Sequence, residues 1–501
     1  MELDQRICSR ARLARDPRFD GKFFIGVLTT KIYCRPICRS RTSKESNVRY
    51  FPSAAAAAEA GFRPCLRCRP EQSPGTRAWP GTQNTVTRAL RLISETGLED
   101  GGVEALAEHL GIGSRHLRRL FLRHLGATPS SVAQTRRLQF AKKLIDETDL
   151  SMTQIALASG FGCVRRFNGA FRKVYRRTPT QIRRLARHRS SEPQDQYLFR
   201  LDFRPPCDWK WMMEFLAKRA LPGVEVVDAG IYRRSICVNE NRGYFEASFD
   251  AAQNAVHVRV QIGDPRSLFF VVERVRAMFD LDADWPTIAR TLAADPLLAA
   301  CVQAAPGLRV VGCWDAFELT ARAILEEGTD IDTANALAGR IVRTFGQPFG
   351  PIAGLTHAFP GPSVLAGADL QSIGIPLIKA EAIRALAHAV GNGLIGFEKI
   401  AESDSFVGQL SRIPGIGRGA IEWVAMRALR EPDAIPLHDP LLETALGVAS
   451  ATDVRERSEV WRPWRAYAAA YLWKFGEEFR ALNGWAGVPG AHSYRSVSPR
   501  P

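Results

Sequence analysis

Four cysteines set the first constraint on this chain. Cys34-x3-Cys38 and Cys65-x2-Cys68 form two close pairs separated by 26 residues, and two such pairs can bring four thiolates to one tetrahedral ion. A closed all-sulfur site is the usual setting of zinc. The N-terminus, MELDQRICSRARLARD, lacks the apolar middle of a signal peptide. Cytosolic location is therefore expected, and there a cysteine cluster reads as metal ligands rather than bridges. No apolar run approaches the roughly 20 residues that cross a bilayer, so no membrane partner is expected. Spacing alone leaves open whether zinc only knots a small module together or also activates one sulfur, and it does not say which.

Charge is the second constraint. Residues 1–190 carry 36 Lys and Arg against 15 Asp and Glu, a formal +21, whereas the remainder carries 32 against 37, or −5. An excess confined to one segment points to a polyanion, because neutralising phosphates releases condensed counterions. At 501 residues the chain exceeds a single core, and its composition is that of an ordinary globular protein.

Pattern shifts divide the chain. Residues 1–78 are rich in Cys, Arg and Pro, and a Pro/Gly linker centres near Pro80. Residues 84–188 show helical spacing throughout. Residues 196–284 turn to short β-rich runs such as RRSICVNE and NAVHVRVQI, with a helix at Trp209–Ala220. From about Pro286 to Ala481 helical patterns return, so 285–484 is a fourth domain. The tail 485–501 is expected to be disordered. The expected class is multidomain and mainly α, with a small zinc module and an α+β domain.

The cysteine segment, GVLTTKIYCRPICRSR followed by NVRYFPSAAAAAEAGFRPCLRCRPE, closely resembles the methyl-phosphotriester-accepting zinc domain of the Ada proteins. That resemblance implies that Cys34, the first cysteine of CRPxC, takes a methyl group from a DNA phosphotriester. The chemistry is apt, since thiolate is the nucleophile and four thiolates around zinc leave sulfur electron-rich. Methylation of Cys34 removes one negative charge and would strengthen attraction to phosphate.

VEALAEHLGIGSRHLRRLFLRHLG (103–126) reads as a helix, a glycine turn and a second helix with Ser114 as N-cap and Arg115, His116, Arg118 and Arg119 near its start. The plan repeats at 152–179, where Arg165 and Arg166 open the later helix, followed by Arg172 and Lys173. Tandem units of this kind, ending in Thr178-Pro179, resemble the AraC-type double helix-turn-helix domain. The resemblance implies promoter DNA as a partner and admits RNA polymerase as another; a monomer is expected.

LSRIPGIGRGAIEWVAMRAL (410–429) places Pro414, Gly415, Ile416 and Gly417 as a hairpin between two helices. Amides at such a turn can approach a DNA phosphate closely, aided by the dipole of the second helix. Asp439 follows about twenty positions on. Hairpin and aspartate together resemble the helix-hairpin-helix glycosylase superfamily. The stretch 198–481, with RPPCDWKWMMEFLAKRALPGVE, PGLRVVGCWDAFELTARAIL and WRPWRAYAAAYLW, resembles its AlkA-like branch, the 3-methyladenine DNA glycosylases. The resemblance implies hydrolysis of the N-glycosidic bond of an alkylated purine flipped from damaged duplex DNA. Asp439 would stabilise the developing sugar cation and orient water, and Trp423 and Trp473 would line the pocket. Aromatics at that spacing also suit a core, and Asp439 also suits a helix N-cap.

Two departures stand out. Gly419 occupies the place where bifunctional members carry a Schiff-base lysine, so a monofunctional enzyme is expected. LEEGTD (325–330) replaces the LGQxVS pattern and with it the bulky residue that would wedge into the vacated base stack. A second reading follows, from another class: a regulator of the alkylation response whose glycosylase fold is catalytically impaired. The PCHRV motif of the Ada O6-alkylguanine transferase domain is absent, and repair of that lesion is not expected.

Overall fold

The computed structural model describes residues 4–75, 83–96, 98, 102–185, 195–352, 354–397 and 403–476. The linker around Pro80, most of the polar stretch 188–196 and the tail 485–501 lie outside them. The chain forms two compact units: Met1–Pro205 with Cys237–Ala277 and Leu281–Asp284, and Pro206–Ile236 with Met278–Asp280 and Trp285–Pro501. Segment 196–284 contributes to both. Among the described residues no helix is long and apolar enough to cross a membrane.

In the first unit a helix Gln5–Ala14 starts at Asp4, whose carboxylate accepts the N–H groups of Arg6 and Ile7. A four-stranded sheet follows, in the order Val48–Phe51, Phe24–Val27, Ile32–Cys34, Arg63–Pro64, the last strand parallel to its neighbour. Gly26 is needed in this sheet: a Cβ there would sit 2.6 Å from the Phe51 ring and 2.8 Å from Phe62. The alanine helix Ala54–Glu59 is capped by Ser53, whose hydroxyl also donates to the Leu125 carbonyl at 2.6 Å. Phe24, Tyr33, Phe51 and Phe62 thereby share one core with Leu117 and Phe121 of the helical segment. Each such ring contributes on the order of 1.5–3 kcal/mol of burial.

The helical segment comprises Gln83–Thr96, Gly102–His109, Ser114–Leu125, Pro129–Glu147, Met152–Ala158, Val164–Tyr175 and Pro179–Leu185. The long helix Pro129–Glu147 joins two helix-turn-helix units. Their turns hinge on Gly111 and Gly160, at φ +67° and +73°, a region open mainly to glycine. One detail corrects the sequence reading: Gly113 is the N-cap of the first later helix, and Ser114 is its first residue. Three antiparallel strands, Gln196–Asp202, Ala255–Ile262 and Asn241–Asp250, with the second in the middle, complete this unit beside the helix Leu268–Met278.

The second unit takes the helix Trp209–Lys218, the strand Glu225–Asp228, most of the strand Ile231–Val238 paired with it, and the helices from Trp285 onward. Its core gathers Ile324, Leu337, Ile341, Leu370, Leu386 and Val424. The continuous helical pattern expected beyond Pro286 is broken by a β-hairpin, Gln347–Ile352 with Leu355–Ala358. Both strands are short, and the first is rich in Gly and Pro, so neither shows a clear two-residue alternation. The helices Ser403–Leu410 and Arg418–Arg427 flank the Pro414–Gly417 turn.

Candidate functional site

The strand Ile32–Cys34 delivers Cys34, a tight turn returns Cys38, and the parallel strand Arg63–Pro64 brings Cys65 and Cys68 alongside. All four sulfurs lie within 4.8 Å of one another. Their thiols act on each other in opposite senses: contacts within the quartet hold Cys38 below its ordinary pKa and Cys34 and Cys68 above theirs. Four sulfurs this close together form the donor set of tetrahedral zinc. This cluster and the matching domain described below establish one zinc ion as the cofactor.

The sulfurs are not equivalent. Cys65 is buried. Cys68 takes the N–H of Arg35 at 3.4 Å. Cys38 has the Ser40 hydroxyl at 3.3 Å. Among the described residues, no donor outside the quartet reaches Cys34. Behind the sulfurs the Arg35 guanidinium is buried between two carboxylates, Asp20 at 2.9 Å and Asp202 at 2.8 Å, and it reaches the Cys68 carbonyl at 3.3 Å. Their charges hold Arg35 firmly protonated despite its burial.

Arg115, Arg118, Arg165 and Arg166 are all exposed on the later helices of the two helix-turn-helix units, as are Arg172 and Lys173. In the helix Val164–Tyr175 the opposite face buries Phe167, Phe171 and Tyr175 at four-residue spacing, so the cations are left facing outward. Arg118 is tied to Glu104 at 2.9 Å.

In the second unit, Gly415 turns the hairpin at φ +82°, with Ala382 so close that a Cβ would stand 2.8 Å from it. Pro414 is exposed and Ile416 anchors in the core. The Gly417 amide already has a partner: it donates to Glu327 Oε2 at 3.0 Å. Gly328 follows in the left-handed region, exposed and without a side chain to wedge. At Gly419 an added Cβ would meet nothing within 4 Å, so the missing lysine is a feature of sequence and not of space.

Asp439 caps the helix Pro440–Leu446, Oδ1 accepting the Leu441 N–H at 2.8 Å. Its other oxygen accepts Nε1–H of Trp473 at 3.0 Å, and the Trp473 ring meets Trp423 at 5.1 Å between centroids. The three predicted residues therefore form one connected group. Loss of water around the partly exposed Asp439 raises its pKa, against the hydrogen bonds from Leu441 and Trp473 and the charge of Arg219. The expected N-cap role is present as well, and it leaves Oδ2 facing the tryptophans.

Sequence reasoning missed the residues around them. Phe215 stands 6.1 Å from Trp423 and 5.8 Å from Trp211. The guanidinium of Arg219 lies over both Phe215 and Trp423, at 4.6 and 5.1 Å. The spacing of Trp211, Phe215 and Arg219, four residues apart on one helical face, was a signal available in the sequence.

Comparison with known proteins accords with this plan. The metal-binding domain of Ada matches residues 7–71, a helix-turn-helix domain matches 106–185, and the AlkA N-terminal domain matches 198–315. A probable bifunctional transcriptional activator/DNA repair enzyme AlkA of Mycobacterium tuberculosis is 37% identical over 493 residues, covering 97% of this chain and 99% of that protein. DNA-3-methyladenine glycosylase 2 of Escherichia coli is 32% identical over 279 residues, covering 55% and 96%. The bifunctional transcriptional activator/DNA repair enzyme Ada of Escherichia coli is 39% identical over 150 residues, covering 30% and 40%. With a thiolate quartet, two helix-turn-helix units and a hairpin glycosylase fold in one chain, the protein belongs to the family of bifunctional transcriptional activator/DNA repair enzymes of the AlkA type.

Proposed function

We propose that this protein repairs alkylated DNA by two chemistries and responds to one of them through DNA binding. The observation that carries the reading is the group formed by Asp439, Trp473 and Trp423 beside the hairpin. In glycosidic cleavage the bond pair leaves with the base, the sugar becomes cationic at C1′, and water adds there. Asp439 stabilises the sugar cation and takes the water proton. Trp473 holds the carboxylate in place. With Gly419 where a lysine would be, the sugar forms no Schiff base and the enzyme is monofunctional.

Zinc, when bound, keeps the quartet deprotonated and electron-rich. The Cys34 lone pair attacks the methyl carbon of a phosphotriester, the C–O bond breaks, and its electrons remain on the phosphate as a diester. Hydrogen bonding to sulfur withdraws electron density and burial closes off Cys65, so Cys34, partly exposed and without a donor outside the quartet, is the best nucleophile of the four. Arg115, Arg118, Arg165 and Arg166 then serve double-stranded promoter DNA. A monomer acting in the cytoplasm, with RNA polymerase as its partner at promoters, fits this reading.

A second reading has its own support: Glu327 occupies the hairpin amide and Gly328 supplies no wedge, as in a glycosylase fold retained for DNA binding alone. Base release from methylated duplex DNA separates the two. Release of 3-methyladenine by the wild type and its loss in Asp439→Asn, with DNA affinity kept, supports the enzyme; no release by the wild type supports the regulator.

A further inference from the structure

The loop that lacks a wedge is tied to a segment that carries exposed apolar side chains. The helix Ala316–Glu326 runs into this loop, 325–330, where Gly328 is exposed and has no side chain to offer. Lys379 reaches back to the loop, donating from Nζ to the Leu325 carbonyl at 2.6 Å and to the Thr329 hydroxyl at 2.5 Å. It stands in the first turn of the helix Leu377–Gly391, whose inner face buries Ala380, Ile383 and Leu386 in the core. Leu377 and Ile378 of the same turn are left outside, 54% and 71% exposed. Ile378 also borders the hairpin: a Cβ at Gly415 would stand 3.4 Å from its carbonyl oxygen and 3.7 Å from its Cγ2. Arg412 and Arg418, both exposed, flank that hairpin. An apolar side chain thus stands in water among groups suited to a DNA backbone.

Its backbone is held from three sides, by its own helix, by the hairpin, and by the loop, whose Glu327 accepts the Gly417 amide at 3.0 Å. When a nucleotide turns out of a duplex, the neighbouring base pairs face an opening. An apolar side chain that enters it covers their faces and opposes return of the base. Isoleucine suits the task, because it is apolar and, being stiff at χ1, loses little freedom on insertion.

We propose that Ile378 enters the base stack vacated by the flipped nucleotide, performing from the helix Leu377–Gly391 the task that Gly328 cannot perform from the loop. The inference rests on the glycosylase reading above. The occupant of this surface is duplex DNA at the lesion, continuous with the backbone that the hairpin binds. Ile378 is a positioning residue: it keeps the nucleotide out of the stack and touches no reacting atom. The ion-paired loop and the exposed isoleucine are then two parts of one arrangement, the first fixing the helix start from which the second inserts.

The test uses the full chain with two duplex oligonucleotides, one undamaged and one carrying a single tetrahydrofuran abasic site, whose stack is already open. The ratio of the two Kd values is read within each variant by fluorescence anisotropy. Ile378→Ala should reduce the preference for the abasic duplex about tenfold, the scale of a partly buried aliphatic side chain, with affinity for undamaged duplex unchanged. Ile378→Met, apolar and of similar reach, should keep the wild-type preference. So should Leu394→Ala, which removes an equally exposed side chain, also at 71%, beyond the other end of the same helix. An unchanged preference in Ile378→Ala overturns the proposal and leaves the glycosylase reading intact. A loss as large in Leu394→Ala or in Ile378→Met does the same. Release of 7-methylguanine by Ile378→Ala should fall more from duplex than from single strand, because only the duplex draws the base back to a partner, and equal falls overturn the proposal. No release from methylated duplex by the wild type overturns the glycosylase reading, and this inference with it.

Discussion

Trp473 donates its indole N–H to Oδ2 of Asp439 across 3.0 Å, so an aromatic of the pocket holds the carboxylate that would face the sugar. The bond favours the charged form, while loss of water raises the Asp439 pKa. Excision requires the carboxylate and should therefore fall at acid pH along a limb above the ordinary carboxylate range. Trp473→Phe removes one stabiliser of the charge, raises the pKa further and should move that limb to higher pH. A pH profile of single-turnover base release checks it; a limb moving to lower pH would contradict the assignment. Because the folded-state pKa is raised, ionising Asp439 costs stability above it. Asp439→Asn does not titrate, so the Tm of the wild type relative to that variant should fall as pH rises through the folded-state pKa of Asp439.

The Gly417 amide donates to Glu327, so a DNA phosphate bound at this hairpin, as proposed, would have to displace a carboxylate. Glu327→Gln removes the repulsion and should tighten binding to undamaged duplex about three- to tenfold at low salt, the range for one partly screened charge. The gain should shrink as salt rises. Fluorescence anisotropy at two salt concentrations measures it, and equal affinities for the two proteins would show that the hairpin does not meet phosphate.

The sulfur quartet should hold about one equivalent of zinc in the purified full chain. Replacing buried Cys65 with Ala should lose it, as elemental analysis would show. Exposure to methylated DNA should add one methyl to Cys34, visible by peptide mass. It removes one negative charge and should tighten promoter binding about tenfold at low salt. A Cys34→Ala protein should show neither effect. Methylation mapped to Cys38 or Cys68 would reassign the nucleophile.

Arg35 bridges Asp20 and Asp202 with all three groups buried. Asp202 keeps its pair with Arg200 at 2.7 Å, so Arg35→Met strips Asp20 of its guanidinium and should destabilise the first unit by about 3 kcal/mol, the lower end of the cost of breaking a buried pair. Denaturant melts report it. A loss below about 1 kcal/mol would mean that water reaches the cluster.

What the sequence determined by itself is largely local. The cysteine spacing specified the quartet, glycines at 111 and 160 marked the turns of the helix-turn-helix units, and Asp439 read as a helix cap, its catalytic role being implied only by the family resemblance. Each depends on residues a few positions apart, where backbone geometry dictates what can meet. Tertiary structure decided what those groups touch. Trp473 and Asp439 are 34 residues apart, Glu327 and Gly417 are 90 apart, and Arg35 and Asp202 are 167 apart. An arginine or glutamate in a sequence reads as solvated surface, because its partner depends on the path of the whole backbone. Only folding shows that Arg219 covers a tryptophan and that Arg35 is buried between two aspartates. The charges that tune both sites come from such distant partners, since a buried charge persists only where the fold supplies its opposite.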